Sequence, residues 1–496
     1  MATEEKVRDI SAELSGFIMD SISRGMCSEI PVVGLSPVNL YDARGIYYDD
    51  LEQMCTLGGW NITDNKFTDK CIIWCAETHN IWVEKTGLNQ VKIVSGSLSL
   101  VVDNVDTNPI NWHGTLWNSS KNTWQFYLIY YDGTTARAWK ATELAISLMS
   151  GFPAMRGIIT YYGRLIGWGD NLTVYWSDAG LPEVWTGGTS GASPLYGMPG
   201  TVITMAVPYF DRVIVFTDDA IASLIGTAPA NWVRTTVTNE YGCRWRDTVL
   251  LVGTSIFFLT KRGLSAISST LAYGDLAVDW FSMQIVSRFV AELPYVESGP
   301  TYSKLIYSPK HKSFFMCNLS LANTLTFFIY KPLITKKATS KWTYEKVEAL
   351  TNYNKDVNKM LWLFSHMDNV YLSSYKESAG VLSNLTTGRL SVSDTTHINL
   401  DWRFNLSSEV LFRFMHISFM RKGDNQIGYI LDSNLIKDGS TFSKISTLTS
   451  NDNVRVDMGV RGRSFKVGIS GNVDGGWVVG RIEPLVRHIK LLDKEV

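Results

Sequence analysis

The sequence predicts an all-β protein: a β-propeller of about six blades, with seven as the alternative count, carrying an N-terminal helix and extra C-terminal β-strands. Three observations predict it. Short runs of Val, Ile, Tyr, Trp and Phe, punctuated by Gly, Asn and Asp, follow one another from Pro31 onward, the pattern of many short strands. The turns between these runs recur at the period of a propeller blade. The composition, 45% hydrophobic and 12% aromatic with only 19% charged residues, requires extensive burial and excludes a disordered chain.

Residues 3–25 read as the one helix. Thr3 can cap it, Glu4 and Glu5 suit the positive end of its dipole, and Gly25 closes it. Val7, Ile10, Leu14, Phe17 and Ile18 fall on one face, so residues 1–30 form an arm that packs on the chain's own body or docks on a subunit or adaptor.

Residues 31–394 supply the blades. Hairpin turns are read near Thr78, Asp132-Gly133, Gly169-Asp170-Asn171, Asp218-Asp219, Gly253, Pro309 and Met367-Asp368. Their positions, 78, 133, 170, 219, 253, 310 and 368, differ by 55, 37, 49, 34, 57 and 58 residues, a mean near 48. Three runs share a polar tip before an apolar strand: Tyr162–Trp168, Phe210–Phe216 and Arg246–Val252. A strand covered on both faces by neighbouring blades gives such a run. Arg164, Trp176, Trp185 and Arg212 are the expected structural blade residues, with Trp185 plugging a gap between blades. The Lys/Thr/Asn-rich stretch 331–358 reads as an exposed insertion.

Residues 395–496 alternate more openly. Val454–Met458 and Phe465–Ile469 place apolar side chains on one face only, so these strands either complete the propeller or form a small accessory sheet with one wet face. Gly471-Asn472 and Gly475-Gly476 supply turns.

Charge and chemistry narrow the function. With 46 basic and 47 acidic residues the net charge is −1, unlike a dedicated nucleic-acid binder. The six cysteines are too sparse for a disulfide scaffold, and Cys71-Ile-Ile-Trp-Cys75 reads as a buried strand holding ordinary thiols, consistent with assembly in a reducing cytoplasm. Acidic residues stand where a secretory leader is basic, and no run of ~18 apolar residues spans a membrane as a helix. The seven histidines form no zinc-binding pair, and no glycine-rich phosphate loop occurs, so neither cofactor nor metal is expected. Gly187–Gly191 lacks the spacing of a nucleophile elbow. Ser177–Trp185 approaches a sialidase-type turn, but its Asp and Trp are displaced, and it reads as a structural turn.

Two stretches resemble a known family. Tyr162–Trp185, with its Val174-Tyr-Trp-Ser-Asp-Ala-Gly-Leu-Pro-Glu183 core, and Arg461–Asn472 followed by Val479–Ile482, are similar to segments of the tail nozzle, or packaged-DNA stabilisation, proteins of short-tailed bacteriophages. The resemblance implies a virion protein assembled in the host cytoplasm, a homo-oligomer forming a hexameric ring beneath portal and adaptor proteins. Tail spike, fibre or plug proteins would lie around and below it. Such a ring would retain the packaged genome and conduct DNA during ejection. Double-stranded DNA would pass without stable binding, which a near-neutral chain suits because each phosphate neutralised by Lys or Arg would retard sliding. The resemblance implies no enzyme. A propeller-type carbohydrate or host-surface binding tail component, and a glycan-processing enzyme, remain the alternatives.

Overall fold

The computed structural model describes residues 42–48, 54–118, 124–260, 263–269, 276–282, 285, 303–318, 324–332, 341–348, 358–378, 381–391, 395–421, 429–437, 440–448, 453–474 and 477–488. The expected helix and its face, Val7, Ile10, Leu14, Phe17 and Ile18, lie outside the described residues.

Four short strands come first: β1 (Asp42–Arg44), β2 (Ile46–Tyr48), β3 (Met54–Thr56) and β4 (Gly59–Asn61). Six complete four-stranded units follow. Blade 1 is β5 (Cys71–Cys75), β6 (Ile81–Gly87), β7 (Gln90–Ser95) and β8 (Leu98–Asp103). Blade 2 is β9 (Trp112–Asn118), β10 (Trp124–Tyr131), β11 (Ala136–Ala141) and β12 (Ile146–Met149). Blade 3 is β13 (Gly157–Tyr161), β14 (Arg164–Trp168), β15 (Thr173–Trp176) and β16 (Gly191–Pro194). Blade 4 is β17 (Ile203–Tyr209), β18 (Arg212–Thr217), β19 (Ile221–Ile225) and β20 (Val233–Thr238). Blade 5 is β21 (Leu250–Val252), β22 (Ser255–Thr260), β23 (Gly263–Ser269) and β24 (Leu276–Trp280). Blade 6 is β25 (Ser303–Ser308), β26 (Ser313–Asn318), β27 (Thr324–Lys331) and β28 (Lys341–Glu348).

Blade 7 takes three strands from late in the chain, β29 (Asn358–His366), β30 (Asn369–Ser378) and β31 (Val381–Ser391), and its fourth from the start. β4 pairs antiparallel with β31 through Trp60↔Leu390. This closes a seven-bladed propeller. The chain then continues as β32 (Thr395–Arg421), β33 (Tyr429–Lys437), β34 (Ser440–Leu448), β35 (Asn453–Asp474) and β36 (Trp477–His488), an accessory sheet joined by β1–β3. So β1–β3, inside the stretch read as propeller, belong with the C-terminal strands, and β1 carries that sheet onto blade 6 by pairing in parallel with β28 at Arg44↔Tyr344.

The blades stack through apolar clusters filled from both sides. Ile159, Ile166 and Trp168 of blade 3 meet Ala206, Val213 and Val215 of blade 4. Ile214 and Phe216 of blade 4 meet Ile256 and Phe258 of blade 5. Phe257 of blade 5 lies with its ring 4.3 Å from that of Phe314 in blade 6. Second strands therefore have two buried faces, which is why Arg164–Trp168 is buried at every position. Close stacking also constrains the backbone. A Cβ at Gly157 would overlap the Trp168 indole across the β13–β14 pair, so only glycine fits there.

Each of the seven hairpin turns read from sequence falls in a different blade, yet they are not equivalent turns. Those of blades 1, 5, 6 and 7 join first and second strands, while those of blades 2, 3 and 4 join second and third strands. The uneven intervals follow from that mixture. The third shared run also differs in kind: Arg246–Thr248 is a 3-10 turn, and β21 after it is a half-exposed first strand rather than a doubly buried second one.

The stretch 331–358 is not simply an exposed insertion, since it contains β28. Lys331 and Lys341 are buried there, and each cation has a partner. Lys331 Nζ donates to the His311 carbonyl at 3.2 Å, and Lys341 Nζ sits 4.8 Å over the Tyr48 ring.

Candidate functional site: the propeller axis

First strands of neighbouring blades touch one another around the axis. Successive antiparallel strands put the first-to-second and third-to-fourth turns of every blade on one face, here the lower face. The second-to-third turns and the connections between blades lie on the upper face. Two cavities open along the axis between these faces. The upper, of about 270 Å³, is lined by Asn111, Asp132, Arg156, Thr204, Arg244 and Trp245 among others. The lower, of about 340 Å³, is lined by Glu77, His79, His113, Met205, Asp247 and Lys304 among others. Arg246 lines both.

Arg246 stands just before the first strand of blade 5 and reaches across to blades 2 and 3. Its Nη1 donates to the Arg156 carbonyl at 2.8 Å and its Nη2 to the Trp112 carbonyl at 2.8 Å, while Nε donates to Asp247 Oδ1 at 2.9 Å. The guanidinium is buried, with 8% side-chain exposure, and Asp247 neutralises it locally. One planar fork thus ties three blade entrances together and divides the axial space in two. A Lys could not do this, because its single ammonium lacks the fork's fixed spread of donors.

The lower cavity holds groups that water reaches but protein encloses. His113 Nδ1 accepts a hydrogen bond from the Ile158 amide at 3.1 Å, which fixes the neutral tautomer. Burial, then the positive charge of Arg246, lower the imidazole to about 3. Glu77 accepts from Ser365 Oγ at 3.2 Å; its enclosure raises the carboxyl, against the pull of Lys304. Cys75 Sγ lies 3.4 Å from His366 Nδ1, an arrangement that invites a nucleophile reading. Burial pushes that thiol up to about 12, however, and the same His366 nitrogen faces the Ala76 carbonyl at 3.1 Å. A thiol held protonated is not a nucleophile at neutral pH. Among the described residues, no group of three or more His, Cys, Asp and Glu side chains could hold a metal ion.

The upper cavity is similarly committed. Asp132 Oδ1 accepts from the Thr134 and Thr135 amides at 2.9 and 2.7 Å and Asp132 Oδ2 from the Tyr130 hydroxyl at 2.7 Å, which hold the carboxyl far below its usual range. Arg156 pairs with Asp170, and Arg244 stacks 4.6 Å over the Trp245 ring.

The blade residues singled out in the sequence lie away from the axis. Arg164 is buried in blade 3, where Nη1 donates to the Ser177 and Thr189 carbonyls at 2.7 and 3.1 Å and Nη2 to Thr189 Oγ1 at 2.8 Å. Trp176 Nε1 donates to the Thr189 carbonyl at 3.0 Å. Asp178 accepts from the Ala179 and Thr189 amides. These bonds pin the long third-to-fourth connection of blade 3, and Trp185, on that connection, is buried among Trp117, Tyr127 and Ile129 of blade 2 and Ile158 and Leu165 of blade 3. Arg212 opens β18 and pairs with the neighbouring Asp211 at 2.9 Å on a half-open surface. The axial residues Arg246, His113, Glu77 and Lys304 carry no sequence motif; the dense Cys243-Arg-Trp-Arg-Asp247 run is the only local signal.

No known protein family and no curated protein matches the chain. Solved structures that are similar include the WD40 β-propeller domain of Doa1, at 10% identity over 66% of this chain and 97% of that one, with a TM-score of 0.35. Apo AztD from Citrobacter koseri is 12% identical over 79% of this chain and 98% of that one, with a TM-score of 0.32. An exo-β-1,3-galactanase from Phanerochaete chrysosporium is 9% identical over 89% and 100%, with a TM-score of 0.26. The architecture rests on this chain's own strand pairing, and no activity is carried over from these proteins.

Proposed function

We propose that this chain is a structural part of a short-tailed phage tail, a subunit of the nozzle ring that retains the packaged genome and conducts it during ejection. The observation that supports this reading is what the resembling segment does. In Tyr162–Trp185, Arg164, Trp176, Asp178 and Trp185 fasten blade 3 to itself and to blade 2, the work of a rigid structural block. The second resembling stretch falls on β35 and β36, in the accessory sheet.

Arg246 adds a geometric requirement. The axial space is divided and the larger cavity holds about a dozen waters at ~30 Å³ each. A double helix, whose major groove alone is about 12 Å wide, cannot thread it. In this reading the conduit lies between copies of the chain and each propeller is a rigid wall block.

Electron microscopy of the purified protein, alone and with virion components, tests the proposal. Closed rings whose hole admits duplex DNA are expected, with little duplex affinity at physiological salt. Persistent monomers that bind a glycan, or a tight and steeply salt-dependent DNA complex, would sink it.

A further inference from the structure

Six of the eleven exposed large apolar side chains among the described residues, Leu144, Tyr162, Leu181, Phe210, Val233 and Met367, sit at the lower end of their blades, whereas Leu88 and Tyr196 sit at the upper end. Three of the lower six, Tyr162, Phe210 and Met367 (φ 45°), directly follow the first strand of their blade with left-handed backbone, and the two aromatic ones are built alike. Tyr162 and Phe210 follow the first strands of adjacent blades 3 and 4, are 56% and 66% exposed, and have φ of 41° and 52°. Large L side chains disfavour this left-handed backbone, which glycine or asparagine would adopt at less cost. Each ring also leans edge-on, at 4.7 Å, against the preceding tyrosine. Those tyrosines, Tyr161 and Tyr209, are buried and donate to the Gly226 carbonyl at 2.9 Å and the Thr254 carbonyl at 2.7 Å of the next blade. A rigid base thus presents two strained aromatic tips to solvent, and such exposed patches mark contact surfaces.

We propose that the chain's own N-terminal segment, residues 3–25, covers this surface, laying Val7, Ile10, Leu14, Phe17 and Ile18 across Tyr162, Leu181 and Phe210 of the same molecule. The inference is independent of the tail reading. Three features select this occupant. The segment carries one apolar face at helical spacing, the pattern that seats in an apolar groove. The described chain begins on the right side of the molecule: β1 runs parallel to β28, which starts from the lower face, so Asp42 is its lower end. The reach allows it: β1 is a fifth strand of blade 6, about 20 Å outward of the first at ~4.8 Å per strand, and residues 26–41 extend to roughly 50 Å, which leaves about 30 Å to cross the axis to blades 3 and 4. Charge agrees as well. With Glu4, Glu5, Asp9, Glu13 and Asp20 against Lys6, Arg8 and Arg24 the segment has a net charge of −2, and an inward path from Asp42 would pass the exposed Lys310 and Lys312 at the lower tip of blade 6.

A photoreactive phenylalanine analogue placed at the exposed Phe210 position of the full chain tests this. Cross-links within one molecule to residues 7–18 are expected. In parallel, Phe17→Asp should speed amide exchange around Tyr162 and Phe210 at least ten-fold and raise binding of an apolar dye several-fold, with the melting temperature of the blades held. Cross-links only between molecules, cross-links to another part of the chain, or exchange unchanged by Phe17→Asp would each overturn the proposal.

Discussion

Arg246 and Trp112 are joined across the propeller axis: the Nη2 of one donates to the carbonyl of the other at 2.8 Å, linking the entrance of blade 5 to that of blade 2. The same fork holds the Arg156 carbonyl and the Asp247 carboxylate. Arg246→Met should therefore leave two enclosed carbonyls and a partly buried carboxylate without their donor, costing about 3–5 kcal/mol. Arg246→Lys should recover less than half of this. Calorimetry reads the effect as a fall of several degrees in melting temperature, and a melting temperature unchanged in Arg246→Met would show that the cross-axis link does not hold the blades.

Gly157→Ala should destabilise blade 3 by about 1–3 kcal/mol, because the new methyl group forces the buried Trp168 indole off its rotamer. The Trp168 ring also packs edge-on against His113 at 5.9 Å, so near-ultraviolet circular dichroism should change together with stability. Gly253→Ala, at a turn with open space around the Cβ but φ of 60°, should cost less and leave that signal alone.

Acid should weaken the fold through His113. Burial and the nearby Arg246 charge hold the folded imidazole down to about 3, well below the ordinary 6.5, so the unfolded chain binds the proton first. Stability from the neutral ring is complete above about pH 6.5 and is lost as pH falls toward 3, at about 1.4 kcal/mol per pH unit. His311, lowered to about 4 by burial, adds a second loss with the same sign. His113→Asn should flatten the slope by one proton, read from denaturant midpoints between pH 4 and 6.5. An unchanged slope would exclude His113 as its source.

Trp185→Ala should open a cavity between blades 2 and 3, at a cost of about 3–5 kcal/mol. Trp185→Phe should restore most of it, since ring contact with Phe152 at 5.3 Å is the interaction to be kept. Thermal melts of the two variants separate packing from any ligand-facing role: a variant that melts normally but fails to bind a partner would argue for the latter.

The repeating framework is legible in the sequence because it is local. Doubly buried strands such as Arg164–Trp168 produce apolar runs, and turn residues such as Asp132-Gly133 interrupt them. Blade number is less legible, since the seventh blade borrows β4, a three-residue strand that no periodicity detects. Lys331 and Lys341 mislead for a related reason: their charge suggests solvent, while their partners lie far away in the chain or across a sheet. The axial cluster is the least legible part. Arg246 finds Trp112 and Arg156 at separations of 134 and 90 residues, so its role exists only once several blades have stacked.

The pairing of Trp60 with Leu390 also orders events during synthesis. The strand that locks the last blade leaves the ribosome among the first, and it has nothing to hold until almost the whole toroid has been translated. Meanwhile each newly finished blade presents a raw apolar flank to its surroundings. Because joining sequence-distant partners is slow, closure should be the final and slowest step of maturation, and the interval before it is when this protein most needs shelter from its neighbours.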